Sequence, residues 1–447
     1  MSDDVRPMRP PRRALIPILL ASLLLAGGPP AGPASSDHLL SGKRKILSDG
    51  IWLIRMKTTV DVEGTLRDTR VFVVEIDPSL STRGSSGVDV ATPFAQLPGK
   101  KLTSAMGAEH RAVAAINGDF GINRMLHAFA QDATLWQSGL QRHANLAVAV
   151  DGSRAWVGRP KTRITAFVEG TTTSFPIDRW NSGGPEVGEI AGYSPQGGTT
   201  ENPPASGSYC SVRLFPTKDK IRWAPRKRGV ERTFRVKARE CYTDKVFDEM
   251  SSEGGVVLTT RNVAGPAKTA IRSLARGTLL SIRWFLGWPR VLDSIGGRPQ
   301  LLDVVDGVVT NVAPVSCRIC GRNPRTAVGA NKECIDGVAG CRVFLVVVDG
   351  RQCCTWSAGI TLRDFASFMK KKLGVAAAVN LDGGGTTTMW IRKTPAFCQI
   401  YTTVGCIVNR PTTNGSTIVE RTTESAVLAI PGPDNKPSLE PVPAHAL

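Results

Sequence analysis

Val375 to Thr388 reads VAAAVNLDGGGTTT. Up to Leu381 it is an apolar run broken only by Asn380, short enough for a strand buried on both faces. A carboxylate, three glycines and three threonines follow without an apolar anchor, so the chain leaves the sheet here. Asn380 and Asp382 are two apart and point to one side of an extended backbone. Gly383, Gly384 and Gly385 offer unshielded amides, and Thr386 to Thr388 add hydroxyls. By its own residues the stretch is equally a tight turn and the floor of a site.

The same design recurs along the chain. Arg342 to Val348, RVFLVVV, ends in Asp349-Gly350; Ala112 to Ile116 ends in Asn117-Gly118-Asp119-Phe120; Asn145 to Val150 ends in Asp151-Gly152, with Ala155 to Gly158 as a hairpin partner. Further strands are expected at Ile46–Val60, Arg70–Asp77, Val256–Thr259 and Leu279–Trp284, and helices at Phe94–His110, Lys268–Arg276 and Leu362–Leu373. Residues 160–250 look irregular, with a Gly/Pro/Ser-rich stretch and then a very basic one. This pattern predicts an α+β fold, a mixed β-sheet domain with packed helices and an active site at strand ends.

With 447 residues, 41% hydrophobic and 21% charged, the chain can bury a large core. A net charge of +18 calls for an anionic partner. Arg6, Arg9, Arg12 and Arg13 precede an apolar run, Ala14 to Ala26, and then small residues and prolines, which predicts a signal peptide over 1–34. The run is too short for a confident membrane span, so none is expected after cleavage. The expected location is secreted or extracytoplasmic. The ten cysteines all lie beyond the leader, as a disulfide framework requires, although Cys317, Cys320, Cys334 and Cys341 could also imitate a zinc knuckle. An acidic extracellular glycan then suits the charge better than nucleic acid, for which no motif appears.

Nucleophile elbows, zinc-protease helices and phosphate loops are absent, and the five histidines form no cluster in sequence. His110, His127 and His143 each read as structural or exposed rather than catalytic. The acid and base candidates are therefore Asp119, Asp349 and Asp382. Arg325, beside a rigid proline in Asn323-Pro324-Arg325-Thr326, is a candidate for phosphate or carboxylate.

Seven blocks in order make the set specific. Ala115–Phe120, Tyr193-Ser194-Pro195 with Gly197–Thr200, Ile295–Pro299, Asn323–Gly329, Val346–Arg351, Asn380–Thr386 and Asn409-Arg410-Pro411 together resemble the phosphodiester glycosidase family over about 45–430. The basic, cysteine-containing stretch at about 203–250 is an insertion relative to that pattern, and 431–447 reads as a disordered tail. The resemblance implies hydrolysis of the bond between a sugar's anomeric carbon and a phosphate oxygen, on an N-acetylglucosamine-like sugar of an anionic glycan, with no cofactor or metal. Asp382, Asp349 and Asp119 would be catalytic. Asn117, Gly118, Arg325, Thr326, Asn380, Gly383, Gly384, Gly385 and Thr386 would bind substrate. A phosphodiesterase cutting the P–O bond would use the same anion pocket, and a non-catalytic glycan-binding envelope protein the same basic surface.

Overall fold

Val343–Val348 is apolar at every position because its two faces enter two cores. Val343, Leu345 and Val347 join one, and Phe344, Val346 and Val348 join the other. The strand lies inside an eight-stranded antiparallel sheet ordered Lys43–Ser48, Ile51–Val62, Thr65–Ile76, Val343–Val348, Arg325–Asn331, Val375–Asn380, Gln300–Val305, Val308–Asn311. The computed structural model describes residues 43–78, 87–121, 124–139, 143–149, 154–197, 207–217, 224–226, 229–242, 255–352 and 355–431. The signal-peptide stretch, the Asp151-Gly152 turn, Cys353 and Cys354 and residues 432–447 lie outside them.

Among the described residues four α-helices accompany the sheets: α1 (Thr103–Glu109), α2 (Pro266–Ser273), α3 (Lys332–Asp336) and α4 (Leu362–Leu373). The last spans the expected residues. Thr361 caps it by accepting from the Asp364 amide, Gly374 ends it in the left-handed region, and Phe365, Ala366 and Met369 pack on the eight-stranded sheet.

A six-stranded sheet, ordered Ile400–Thr402, Gly405–Ile407, Met389–Ile391, Ala114–Asn117, Ala426–Ala429, Val88–Ala91, shares the first core. A five-stranded sheet, Ala155–Gly158, Ala144–Ala149, Val291–Gly297, Ala128–Gln131, Thr134–Ser138, puts Phe129, Leu146 and Ile295 into that core. Its other face, with Ala130, Ala147 and Trp156, packs on Phe234, Trp284 and Leu258 of a nine-stranded sheet.

The nine-stranded sheet corrects the expected fold class. Strands make up 49% of the described residues and helices 11%, so the fold is mostly β rather than a helix-packed α+β domain. The region read as irregular holds seven of its strands between Arg163 and Tyr242. Their outward positions carry Arg, Lys, Thr and Glu, which hid the period of two. The Phe94–His110 helix shrinks to α1, because Pro98 and Gly99 break its first half.

Disulfides join Cys210 to Cys241, Cys317 to Cys320, Cys334 to Cys341 and Cys398 to Cys406. The thiols of the zinc-knuckle reading are thus consumed in two bonds. Among the described residues no helix is long and apolar enough to cross a membrane.

Candidate active site

Asn117 ends its strand fully buried and joins three blocks that are far apart in sequence. Its Nδ2 donates to the Asp382 carbonyl at 2.7 Å; its Oδ1 accepts from Thr326 Oγ1 at 2.8 Å and the Thr388 amide at 3.1 Å. The Gly118 carbonyl accepts from the Asp382 amide at 3.0 Å. Asn117, Gly118, Thr326 and Asp382 therefore meet where the eight- and six-stranded sheets end. Asn117 and Thr326 have no exposed surface, so their part in this arrangement is to fix the backbone of the Asp382 turn.

Asp382 is half-buried, and its carboxylate accepts from the Gly383 amide at 2.9 Å and Thr386 Oγ1 at 2.8 Å. Burial pushes it up to about 6, helped by the charges of Glu424 and Asp119 and opposed by those two hydrogen bonds. Glu424 is buried and ion-paired with Lys100 at 3.3 Å. The carboxylates felt by Asp382 are thus Asp119 and Glu424, and the second of these stood in no motif.

The glycine turn is packed beneath guanidinium groups. Gly384 has φ +65°, and a Cβ there would lie 2.9 Å from Arg351 Nη2. Arg351 is itself a left-handed non-glycine residue, φ 60°. It donates through Nε and Nη2 to Asn323 Oδ1 at 3.1 and 3.0 Å and through Nη1 to the Thr413 carbonyl at 2.9 Å. Three of the blocks, those holding Asn323, Gly384 and Arg351 itself, meet at this one side chain. On Gly385 the corresponding neighbours are Arg421 Nη1, 2.9 Å from a built Cβ, and Thr413. Arg351 and Arg421 are both exposed. The Gly383 and Gly384 amides are already donated, to Asp382 and to the Pro324 carbonyl at 3.0 Å.

Arg325 stands elsewhere in chemical terms. It is 3% exposed and donates to the carbonyls of Ile360 at 3.2 Å, Ile319 at 2.7 Å and Gly321. Burial, then the Arg351 charge, lowers its affinity for the proton to about 10. Asp349 is also saturated: its oxygens accept from Trp356 Nε1 at 2.7 Å, Asn409 Nδ2 at 3.0 Å and the Arg410 amide at 3.0 and 3.1 Å. Its carboxyl is raised by burial against those bonds. Asn380 donates to the Arg298 and Leu381 carbonyls at 2.8 and 2.9 Å, while its buried Oδ1 has no partner.

Asp119 binds His127, a residue read from sequence as structural. One oxygen meets His127 Nδ1 and the Phe120 amide, 2.7 Å away; the other accepts the His127 amide at 2.9 Å. His127 is 1% exposed and its Nε2 has no partner. A Cβ at Gly296 would overlap the His127 side chain, so glycine lets that strand pass this close. Phe120 stands edge-on to the imidazole at 6.3 Å, with Arg298 over Phe120 at 5.5 Å. The signal for this dyad was the Asp at the family pattern's variable position, eight residues before a histidine. Tyr193, by contrast, is buried in the nine-stranded sheet, bonded to the Gly183 carbonyl at 3.0 Å. Among the described residues no group of three or more His, Cys, Asp or Glu could hold a metal ion.

The Asp382 turn, Arg351 and Arg421 all fall in residues 242–430, which match the family model described as phosphodiester glycosidase. This segment belongs to the phosphodiester glycosidase family. Among solved structures the chain is similar to a hypothetical protein from Synechocystis, at 19% identity and a TM-score of 0.57, over 85% of this chain and 62% of that one. It thus spans less than two thirds of that protein. A protein of Burkholderia pseudomallei K96243 assigned as exported is similar at 17% identity and a TM-score of 0.55, over 88% and 96%. Both likenesses concern the fold alone. The auto-inhibited catalytic domain of zebrafish N-acetylglucosamine-1-phosphodiester alpha-N-acetylglucosaminidase aligns at 13% identity over 86% and 84%, with a TM-score of 0.40, too low to argue from. No curated protein matches the chain in sequence.

Proposed function

We propose that the protein is an extracytoplasmic hydrolase that releases a sugar from a sugar-1-phosphodiester by breaking the bond between the anomeric carbon and the phosphate oxygen. The observation that carries this reading is the Asp382 turn. A carboxyl held near 6 by burial stands next to a glycine turn that is packed under two exposed guanidiniums, inside the family-matched segment. The four disulfides among the described residues support an oxidising compartment.

In this reading Arg351 and Arg421 hold the phosphate, the part assigned from sequence to Arg325 and to the glycine amides. Their fixed charges face the oxygen on which negative charge grows as the bond breaks. Arg325, saturated by carbonyls, holds the loop that carries Asn323 and so positions Arg351. A phosphate monoester is a stabilised leaving group, so little acid assistance is required. Asp382, ionised above about pH 6, acts at the anomeric carbon as base or nucleophile. With Asp382 as base, water oxygen bonds to the anomeric carbon, its proton passes to the carboxylate, and the phosphate leaves with the electron pair. Asp349 positions Asn409 and Arg410. Asp119 fixes His127, whose Nε2 is buried without a partner, as is Asn380 Oδ1.

A panel of sugar-1-phosphodiesters hydrolysed in oxygen-18 water tests this. Label in the released sugar supports the reading. Label in the phosphate means P–O cleavage and overturns it, and no product from any member leaves only a binding protein.

A further inference from the structure

We infer that the outer face of the nine-stranded sheet is a docking surface for a phosphate-bearing glycan polymer, separate from the catalytic turn. The inference rests on the proposed function only for the identity of the polymer. The strand Gly229–Tyr242 alternates between Arg232 and Lys237: Arg232, Phe234 and Val236 are buried, while Arg235 and Lys237 are exposed on the opposite side. Register extends that face across neighbouring strands, with Arg235 opposite Phe215, Glu231 opposite Arg283, and Arg163 opposite Phe285.

Charge decides the sign of the partner. Glu231 is taken by Arg283 at 2.8 Å, and Glu169 accepts the Ser281 hydroxyl. No described carboxylate pairs with Arg163, Arg235 or Lys237, so the face keeps an excess of cations. This excess belongs to a chain of net charge +18.

Geometry favours a glycan over a nucleic acid. Surfaces that bind single-stranded nucleic acid present bare aromatic faces on which bases stack. Here Lys237 Nζ sits over the Phe215 ring at 4.1 Å and Arg283 over Phe167 at 4.9 Å. The rings serve to hold cations, and the face reads charge. The strand that carries Arg235 and Lys237 ends at Tyr242, where the family match begins, so these two cations lie outside the matched segment.

The test compares the full chain with an Arg235→Glu/Lys237→Glu double variant, both of whose side chains are exposed. Two readouts are needed: retention on immobilised phosphomannan, a glycan linked through sugar phosphodiesters, over a salt series, and turnover of a small soluble sugar-1-phosphodiester. The expected result is salt-sensitive retention, weakened about tenfold or more and with a shallower salt dependence in the double variant, at unchanged small-substrate turnover. Loss of retention in the variant supports the docking surface even where the wild type turns over no small substrate, a result that would overturn the proposed function alone. Equal retention of both proteins overturns the inference. So does tighter binding to duplex DNA, or to phosphatidylglycerol vesicles, than to phosphomannan.

Discussion

Asp382→Asn removes the carboxylate that lies closest to the glycine turn while preserving its volume, and it should separate activity from stability. Folding raises the group from 3.8 to about 6, and two pH units correspond to about 3 kcal/mol between its protonation states. Solvent screening of a half-buried group reduces this to about 1–2 kcal/mol. The native value lies above the unfolded one, so the ionised native form is penalised. Wild-type stability therefore falls as pH rises from near 4 through about 6 and is level above, whereas the variant lacks this fall. Urea unfolding at pH 4.5 and pH 7.5, values chosen to bracket about 6, should show the variant gaining relative to wild type at the higher pH. Turnover should drop by about 10²–10⁴-fold, the usual worth of a positioned base. In the wild type, kcat/KM should fall about tenfold per unit below about pH 6, because the protonated carboxyl cannot act as base. Near wild-type turnover in the variant, or a profile with no inflection around 6, would refute the reasoning.

The two arginines of the glycine turn and the buried one should behave differently. Arg351→Ala should raise KM for a phosphodiester far more than for a neutral aryl glycoside, with the melting temperature little changed. Arg325→Ala, which strands three carbonyls in a closed interior, should cost about 3 kcal/mol or more in chemical denaturation. His127→Asn, which disrupts a buried contact with Asp119, should lower the melting temperature, and an unchanged melting curve would count against a structural part for that contact. Asp89, pushed up to about 8 by burial and by Asp132, faces Asp293, also raised, with His110 Nδ1 3.9 Å away. Its folded value exceeds the unfolded one, so this cluster costs stability as pH rises from about 4 to about 8. Asp89→Asn should therefore melt higher than wild type at pH 9, by about 1–3 kcal/mol, and lose that advantage at pH 4.

What could be read in the sequence follows from where each strand lies. Val343–Val348, Val375–Asn380 and α4 were legible because a doubly buried strand is apolar throughout and an amphipathic helix repeats at its own period. The Ile46–Val60 run was read as one strand, yet Asp49-Gly50 divides it, with Gly50 in the left-handed region. Strands of the nine-stranded sheet were missed because one of their faces is in solvent and carries long charged side chains. For the site, Asn117, Asp382 and Thr386 were visible as polar residues directly after buried strands. Arg421 and Glu424 were not, since they sit before a short strand with no motif of their own and reach the site only through the pairing of Ala426–Ala429 with Ala114–Asn117. His127 required the contact with Asp119 to be seen. No local pattern distinguishes a histidine held by a carboxylate from one that fills a core.

The bonds of Asn117 also bear on when the site comes into being. Its side chain reaches Thr326 and Asp382, 209 and 265 residues along the chain, and the next residue, Gly118, donates its amide to Ser425. Contacts of such separation demand loop closures that local structure cannot shorten, which makes them late events in folding. The strand Ala426–Ala429 must already lie beside Ala114–Asn117 before Arg421 and Glu424 take their places. Catalytic competence should therefore trail behind the spectroscopic signs of secondary structure during refolding. A chain released residue by residue would stay inert until the strand Ala426–Ala429 was free to dock.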